Sequence, residues 1–406
     1  MAQIRPFQGV RPNDAMAKDV IAPPYDVLSE QEARQIVADN PRSFLKVTRS
    51  EVDLPEGTDA HSKAAYDMAR QNLERFLQDG WMIQDQTEGF YLYRQTWQGR
   101  TQIGLMAACS VEEYDQGTIK KHELTRPDKE QDRVDHVEAL DANSGLVFLA
   151  YRDNEAKVKE AMASAAALDP AWSVTTEDGV EHALTPILDP AMVTALQEAF
   201  AQVPALYIAD GHHRSAAASR VCAARGGQGR SGWFLAGLFP DSQLHVMAYN
   251  RVVVDLNGHT VKGLLEALEA DFEISAGSEP VPAGRGLWTM YLDGTWYGLK
   301  AKEGRVPQDD PVGVLDVAVL QDRVLGPLLG IGNPRTDKRI AFVGGIRGHK
   351  ALSDAVDQGR AAVAFHLHPT GMDQLFAVAD ADLLMPPKST WFEPKLRGGV
   401  VLHRLS

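Results

Sequence analysis

The sequence predicts an α+β fold with mixed sheets and covering helices, because hairpin patterns occur together with helical segments between apolar runs. The segments GFYLYRQTW and TQIGLMAAC alternate at period two around Gln98-Gly99, which predicts a hairpin over about residues 89–109. The segments LWTMYLD and TWYGLKA flank Asp293-Gly294, a pair that type I′ turns favour because both central residues need positive φ. Short apolar runs alternate along the chain with Ala-rich segments that have helical periodicity. The apolar runs span 145–151, 205–210 and 233–239, and the helical segments span 155–167 and 214–225.

Helical periodicity near the N-terminus predicts two amphipathic covering helices, over 30–39 and 62–79, the second stopped by Gly80. Near the other end, similar spacing predicts a helix over 315–329, and an apolar run predicts a strand over 361–369. A length of 406 residues favours two or three packed units. We therefore predict an N-terminal α+β part, a core that carries the chemical motifs, and a C-terminal α+β part; these span 1–110, 111–280 and 281–406.

Charge and composition restrict the partners. The chain has 55 acidic and 41 basic residues, a formal net charge of -14, which disfavours non-specific binding to nucleic acid or to an anionic membrane. No stretch approaches the length of a membrane-spanning helix, and the first residues lack the apolar run of a secretory signal. Cys109 and Cys222 lie in apolar or small surroundings, which indicates buried thiols in a reducing compartment. We expect a cytoplasmic protein that captures anions locally.

Residues 205–215 (ALYIADGHHRS) form the sharpest local feature, an apolar strand that leads through a glycine turn into an Ala-rich helix. A helix that begins near His212 presents unpaired backbone amides and a partial positive charge. Gly211 removes the obstruction of a Cβ atom, and Arg214 supplies a planar cation. The turn therefore predicts a binding site for an anion such as phosphate.

Three polar residues of the same turn, Asp210, His212 and His213, allow more than one interpretation. Asp210 is placed either to cap the helix or to contact a metal ion. In the structural alternative, Asp210 is only an N-cap, and His212 and His213 are polar residues of a surface turn. No packing reason places a Gly-His-His-Arg sequence directly after a buried strand, which favours the functional interpretation. The sequence does not identify a metal ligand set.

The segment 120–136 (KKHELTRPDKEQDRVDH) is dense in charge between two apolar strands. In the functional interpretation, Lys129 and Arg133 clamp phosphate, and Glu123 or His122 acts as an acid or base. The alternative is a solvated helix, since the spacing of Lys129 and Arg133 puts both on one helical face. A zinc site is disfavoured because no Cys pair or His-Glu-x-x-His pattern occurs, and no Gly-x-Gly-x-x-Gly or Walker A loop is present.

Two diproline segments complete the candidates. In APPYDVLSE, Asp26 precedes a helix whose Ser29 and Glu32 form a capping-box pattern, so both a structural and a functional role are open for Asp26. In MPPKSTWFEPKL, the diproline fixes an extended loop that presents Lys388. The alternative for this second segment is a rigid arm packed by its aromatic residues.

The combination of APPYDVLS, HELTRPDKEQDR, IADGHHRSAAA and MPPKSTWFEPKL resembles the bacterial and archaeal family called domain of unknown function 1015, over nearly the whole chain. The DGHHR segment is further similar to the ParB and sulfiredoxin superfamily, whose members bind nucleotide phosphates at a Gly-x-x-Arg turn at a helix start. That superfamily includes kinases of free L-serine. The resemblance implies a ParB/sulfiredoxin-like core.

Transferred residue by residue, the resemblance implies that the turn holds the phosphates of the donor or of the transferred group, through Gly211, His212, His213 and Arg214. In the serine kinases a carboxylate near the N-terminal side accepts the serine proton, and Asp26 and Glu123 are both eligible here. The sulfiredoxin reaction is disfavoured because its turn carries a nucleophilic cysteine where this chain has His212. The DNA-segregation role of ParB is disfavoured by the acidic balance.

The charged motifs suit a small-molecule phosphotransferase. The resemblance implies, more specifically, a free L-serine kinase that forms O-phosphoserine from ATP, ADP or pyrophosphate with Mg²⁺. In this mechanism one group of residues grips phosphate: Arg214, the amides of 211–213, and Lys129 or Arg133. Asp26 or Glu123 accepts the hydroxyl proton, and Lys388 helps close the site. The alternatives are a non-catalytic nucleotide-sensing protein and a phosphohydrolase. The oligomeric state is left open.

Overall fold

The computed structural model describes residues 1–227 and 229–406, and the chain forms two compact units. The first unit comprises 1–244 together with 394–406, and the second comprises 245–393. The first unit therefore contains both ends of the chain. We describe each unit by itself.

The first unit is built from both helices and strands. Its helices are α1 (Ala17–Val20), α2 (Glu30–Asp39), α3 (Leu45–Thr48), α4 (Lys63–Gln78), α5 (Val111–Asp115), α6 (Pro127–Leu140), α7 (Ala156–Ala166), α8 (Pro190–Phe200) and α9 (His212–Ala224). Its strands are β1 (Ile4–Arg5), β2 (Gly9–Pro12), β3 (Met82–Gln84), β4 (Phe90–Trp97), β5 (Arg100–Ser110), β6 (Ile119–Lys120), β7 (Ala142–Asn143), β8 (Val147–Tyr151), β9 (Trp172–Thr175), β10 (Glu181–Ile187), β11 (Leu206–Asp210), β12 (Trp233–Pro240) and β21 (Leu402–Arg404).

A large mixed sheet forms the framework of the first unit, in the strand order β6-β11-β8-β12-β5-β4-β10-β9, with β1 paired to β5. The pairs β6/β11 and β8/β12 are parallel, and the other neighbours are antiparallel. Apolar side chains of these strands pack with α7 and α8 into one buried cluster that includes Leu149, Ile208 and Phe200. This burial supplies the main hydrophobic stabilisation of the sheet that carries β11.

A smaller sheet of order β3-β2-β21-β7 contains the last strand of the chain, β21. It packs with α2, α3 and α4 around a second buried cluster that contains Phe44, Phe76 and Leu402. Phe44 and Phe76 meet edge to face, with ring centroids 6.1 Å apart, a favourable arrangement of two aromatic quadrupoles. The C-terminal strand is thus fixed in the first unit.

The second unit is also α+β. Its helices are α10 (Val261–Leu268), α11 (Asp316–Leu320), α12 (Lys350–Asp357) and α13 (Met372–Asp380). Its strands are β13 (His245–Met247), β14 (Tyr249–Val253), β15 (Phe272–Ala276), β16 (Leu287–Leu292), β17 (Thr295–Ala301), β18 (Ile340–Gly344), β19 (Val363–His366) and β20 (Trp391–Glu393). An antiparallel sheet follows the order β15-β17-β16-β19-β14-β18, and β13 pairs with β20.

The α+β class is confirmed, and both predicted hairpins form. Strands β4 and β5 join through Gln98 and Gly99, at φ 50° and 75°. Strands β16 and β17 join through Asp293 and Gly294, at φ 48° and 76°, the positive values that a type I′ turn requires. The α-helix predicted over 315–329 forms only over α11, Asp316–Leu320, because a π-helical turn, Gln321–Leu325, follows it directly. The strand predicted over 361–369 forms only over β19, Val363–His366.

The compact units divide the chain differently from the three predicted parts. Strand β5 pairs with β12 across the boundary predicted at residue 110, and β14 pairs with β19 across the one predicted at 280. Such long-range pairing leaves no signal in local composition. Cys109 is buried as predicted, whereas Cys222 is only half-buried, although it packs against the same apolar cluster.

The second unit contains a buried titratable group, Asp316, at the start of α11. Its Oδ1 accepts a hydrogen bond from the Gly286 amide at 2.9 Å, whereas Oδ2 is buried without a hydrogen-bond partner in the described chain. The residue is only 8% exposed. Burial raises the pKa of Asp316 to about 6, outweighing the Gly286 amide and the charge of Arg285.

We expect Asp316→Asn to remove a pH dependence of stability. The folded-state pKa is raised, so the wild-type carboxyl favours folding below about pH 4, and this contribution is lost as pH rises to about 6. Relative to Asp316→Asn, the wild-type free energy of unfolding should fall by roughly 2–3 kcal/mol between pH 4 and pH 7. Denaturant unfolding of each protein at both pH values measures this change in the free energy of unfolding. The exposed Asp309→Asn is the control, and equal pH dependence in all three proteins would contradict the expectation.

Candidate functional site

The strand-glycine-helix turn places Arg214 in the first turn of α9. Gly211 is the N-cap of α9 and has φ 99°, a left-handed conformation that favours glycine. A Cβ atom at Gly211 would also lie 3.3 Å from Cα of Val147, so the turn packs tightly against β8. From this position the Arg214 guanidinium donates from Nη1 to the Leu146 carbonyl at 2.7 Å. The predicted N-cap role of Asp210 is not observed, because Gly211 occupies that position.

Two open pockets of the first unit share Arg214. The first, which we call the arginine pocket, spans about 450 Å³ of space that includes open solvent and is lined by Tyr25, Thr48, Arg133, His136, Val137, Asn143, Ser144, Gly145, Val147, Arg214, Phe234 and Leu235. The second, which we call the carboxylate pocket, spans about 370 Å³ that likewise includes open solvent and is lined by Pro24, Asp26, Val27, Leu146, Phe148, Asp210, Arg214, Lys395 and Leu396. Arg214 can therefore contact ligands in both.

Two guanidinium groups meet one aromatic ring in the arginine pocket. The Arg133 and Arg214 guanidinium carbons lie 4.1 and 5.4 Å from the centroid of the Tyr25 ring. Asp132 orients Arg133 by accepting hydrogen bonds from its Nε at 2.9 Å and its Nη2 at 2.5 Å, and it also accepts one from the Tyr66 hydroxyl. Burial opposes ionisation of Asp132, but Arg133 and these hydrogen bonds hold its pKa below the ordinary value. Arg133 is thus a fixed cation.

Neutral polar groups complete the arginine pocket. The His136 Nε2 lies 3.0 Å from the Val47 carbonyl, which can only accept, so Nε2 carries the proton and Nδ1 accepts from the Ser144 hydroxyl at 3.4 Å. Burial, together with the charge of Arg133, lowers the pKa of His136 to about 4. The imidazole is therefore neutral at pH 7. The side-chain protons of His136 and Ser144 are thus used within the protein. The two arginines supply the permanent cations that suit an anion.

The carboxylate pocket combines charges of both signs. Lys395 Nζ donates to Oδ2 of Asp210 at 3.2 Å. Burial raises the pKa of Asp210, but the opposing charges of Lys395 and Arg214 outweigh it and lower the pKa to about 2. Asp26 stands exposed on a 3₁₀ turn, Tyr25–Val27, at the pocket wall. Two carboxylates and two cations therefore face one space.

Lys395 is a pocket residue that the sequence interpretation missed, although it belongs to the same motif as Lys388. Its backbone is fixed by a buried pair of amides: Gln95 Nε2 donates to the Lys395 carbonyl at 2.9 Å, and Gln102 donates to Gln95 Oε1 at 2.8 Å. Arg397 donates to Asp178 from the same segment. The sequence motif contains both lysines. Only the ion pair with Asp210 shows that Lys395 reaches the carboxylate pocket.

Residues 4–318 match the family described as a protein of unknown function, DUF1015. The chain belongs to this family. No curated protein matches the chain. Among the described residues, no helix is both long and apolar enough to cross a bilayer.

Several solved structures show a distant likeness to this DUF1015 protein. A conserved hypothetical protein from Pyrococcus furiosus is 12% identical, with a TM-score of 0.34, over 71% of this chain and 90% of its own. A free serine kinase in complex with AMP is 10% identical, with a TM-score of 0.35, over 71% and 86%. SbnI from Staphylococcus aureus, with a C-terminal truncation, is 11% identical, with a TM-score of 0.39, over 72% and 84%.

Three predicted histidines of the DUF1015 protein lie outside the lining of both pockets. His122 and His212 form a buried edge-to-face pair with ring centroids 4.6 Å apart, at 2% and 6% exposure. Burial lowers the pKa of His122 to about 4 and that of His212 well below its ordinary value, so both rings are neutral at pH 7. His213 accepts a hydrogen bond from the Arg126 amide at 3.1 Å and so connects the starts of α6 and α9.

Other predicted residues are also separate from the pocket walls. Lys129 is exposed on α6, one turn before Arg133, and Glu123 is half-buried in the loop before that helix. Neither lines the arginine or carboxylate pocket. Lys388 belongs to the second unit, where its Nζ lies 5.6 Å from the centroid of the Tyr249 ring. Within residues 1–227 and 229–406, no group of three or more His, Cys, Asp or Glu side chains could hold a metal ion.

Proposed function

We propose that this DUF1015 protein is a small-molecule phosphotransferase of the cytoplasm, specifically a kinase that converts free L-serine into O-phosphoserine. The observation that carries the proposal is the position of Arg214 in the lining of both pockets. A phosphoryl donor in the arginine pocket and an alcohol in the carboxylate pocket would share this one cation. The transferred group would then pass beside Arg214.

The arginine pocket supports the donor half of the proposal. Phosphoryl transfer requires mainly positioning and the neutralisation of charge on the phosphoryl oxygens. Arg133 and Arg214 line this space and supply two planar cations beside the Tyr25 ring. Each well-placed donor of this kind contributes about 2–4 kcal/mol to stabilising the transition state. ATP, ADP and pyrophosphate all present the required oxygens.

The carboxylate pocket supports an amino acid as acceptor. A free amino acid is a zwitterion, and this pocket offers carboxylates for an ammonium group and cations for a carboxylate. Asp26 is proposed as the base that accepts the hydroxyl proton while the serine oxygen bonds to phosphorus and the bond to the leaving phosphate breaks. Asp26 lines the pocket and Glu123 does not, which supports Asp26 over the other eligible carboxylate.

A divalent cation, proposed as Mg²⁺, would be bound together with the donor phosphates and would neutralise their oxygens. The carboxylate oxygens of Asp210 are ligands of the type that Mg²⁺ prefers. Because Asp210 is ionised at neutral pH, it needs no deprotonation to serve as a ligand.

We expect the purified protein to form O-phosphoserine when mixed with L-serine, Mg²⁺ and ATP, ADP or pyrophosphate in separate reactions. Phosphorus NMR and mass spectrometry detect the product, and L-alanine, which lacks the hydroxyl group, is the control acceptor. Release of phosphate without phosphoserine would instead support a phosphohydrolase. Donor binding by calorimetry without any turnover would support the nucleotide-sensing alternative, and either result would reject the kinase.

A further inference from the structure

Arg49 holds the short turn that carries Asp26, although Arg49 lines neither pocket. Its Nη1 donates to two backbone carbonyls, that of Tyr25 at 3.0 Å and that of Leu28 at 2.8 Å. The two acceptors precede and follow Asp26 in the chain. One guanidinium group therefore bridges the backbone on the two sides of this residue.

The charge of Arg49 is already compensated inside the protein. Its Nε donates to Oε1 of Glu51 at 2.6 Å, and Glu51 is 3% exposed. The segment that carries Glu51 is itself fixed, because Arg34 donates to the carbonyls of Glu51 and Val52, at 2.9 Å each. Arg49 thus belongs to a network that begins on α2 and ends at the pocket wall. The network acts on the turn through backbone carbonyls, with no free charge offered to a ligand.

We infer that Arg49 is a positioning residue that sets the orientation of Asp26 toward the acceptor; this inference rests on the proposed function. Asp26 is exposed on a 3₁₀ turn of three residues, so few contacts of its own hold it in place. A displacement of about 1 Å in a reacting group can cost about a hundredfold in rate. Holding both flanking carbonyls restricts the turn at the two points that determine the direction of the side chain.

The test compares Arg49→Lys with wild type, because lysine keeps the charge but cannot reach Glu51 and both carbonyls in the same planar geometry. We expect kcat for phosphoserine formation to fall about tenfold or more, with the affinity for the donor within about threefold of wild type. Arg42→Lys is the matched control, since Arg42 forms a surface ion pair with Asp19 at 2.9 Å.

A double variant separates positioning from a general structural role. If Arg49 acts through Asp26, Arg49→Lys combined with Asp26→Asn should be no slower than Asp26→Asn alone. Additive losses would overturn the inference. If circular dichroism shows that Arg49→Lys does not fold, Glu51→Gln is used in its place. We expect Glu51→Gln to lower kcat by a smaller factor, because the Arg49 guanidinium then lacks its charged partner. Unchanged kcat in the folded variant would equally overturn it.

Hydrogen exchange gives a readout that needs no turnover. The peptide that covers residues 24–29 should exchange at least fivefold faster in Arg49→Lys, while the peptides of β8 and β11 remain unchanged. If the wild-type protein is inactive with every donor, the proposed function is rejected. The hydrogen-exchange result still decides whether Arg49 holds the turn that carries Asp26. Unchanged exchange over 24–29 would overturn the inference even in an active kinase.

Discussion

Asp26→Asn is expected to lower the rate of phosphoserine formation by about a hundredfold or more, because asparagine cannot accept the serine proton. The substitution keeps the size and the hydrogen-bonding shape of the side chain. The cations of the arginine pocket remain, so the affinity for the donor should stay within about threefold of wild type. Initial rates at saturating serine, together with calorimetric titration of the donor, separate the two effects.

Two further variants make the result specific to this position. Asp169→Asn changes an exposed carboxylate that lines neither pocket, and it should leave turnover unchanged. Glu123→Gln tests the other carboxylate that the sequence made eligible. If Glu123→Gln abolished turnover while Asp26→Asn retained it, the base would be Glu123 and the proposed orientation of the acceptor would be wrong.

Local sequence patterns predicted many of the helices and strands of the fold. The hairpin turns at Gln98-Gly99 and Asp293-Gly294 were predictable because positive φ restricts the choice of residue at these positions. Helix α2 was predictable from its periodicity and from the Ser29/Glu32 capping box, which forms as expected. The division into units was not predictable, because it depends on which distant strands pair, and pairing partners leave no local pattern.

The same distinction applies to the candidate site. The strand-glycine-helix pattern predicted the turn that places Arg214, since this conformation is encoded within a few residues. Lys395 could not be selected, because its partner Asp210 lies 185 residues away. Nor could the sequence show that His122 and His212 pack against each other, because burial of a polar residue is decided by the tertiary structure around it.

Arg214→Lys is expected to reduce kcat by about a hundredfold, a loss of about 2–4 kcal/mol of transition-state stabilisation. Lysine keeps the positive charge but lacks the planar fork, so it cannot donate to the Leu146 carbonyl and to oxygens in both pockets with the same geometry. Because Arg214 lines both pockets, KM should rise for both donor and acceptor. A residue that served one pocket alone would raise only one of them, so steady-state kinetics with each substrate varied in turn decides the question.

The matched control for this substitution lies on the same helix. Arg220→Lys changes an arginine of α9 that is 43% exposed, that donates to Gln131 and that lines neither pocket. It should leave kcat and both KM values within about twofold, because exposed pairs of this type contribute little. If Arg214→Lys raised KM for only one substrate, the proposal that Arg214 contacts both donor and acceptor would be wrong. The two pockets would then bind their ligands independently. If both KM values rise together in Arg214→Lys and neither in Arg220→Lys, a single guanidinium connects the two halves of the reaction.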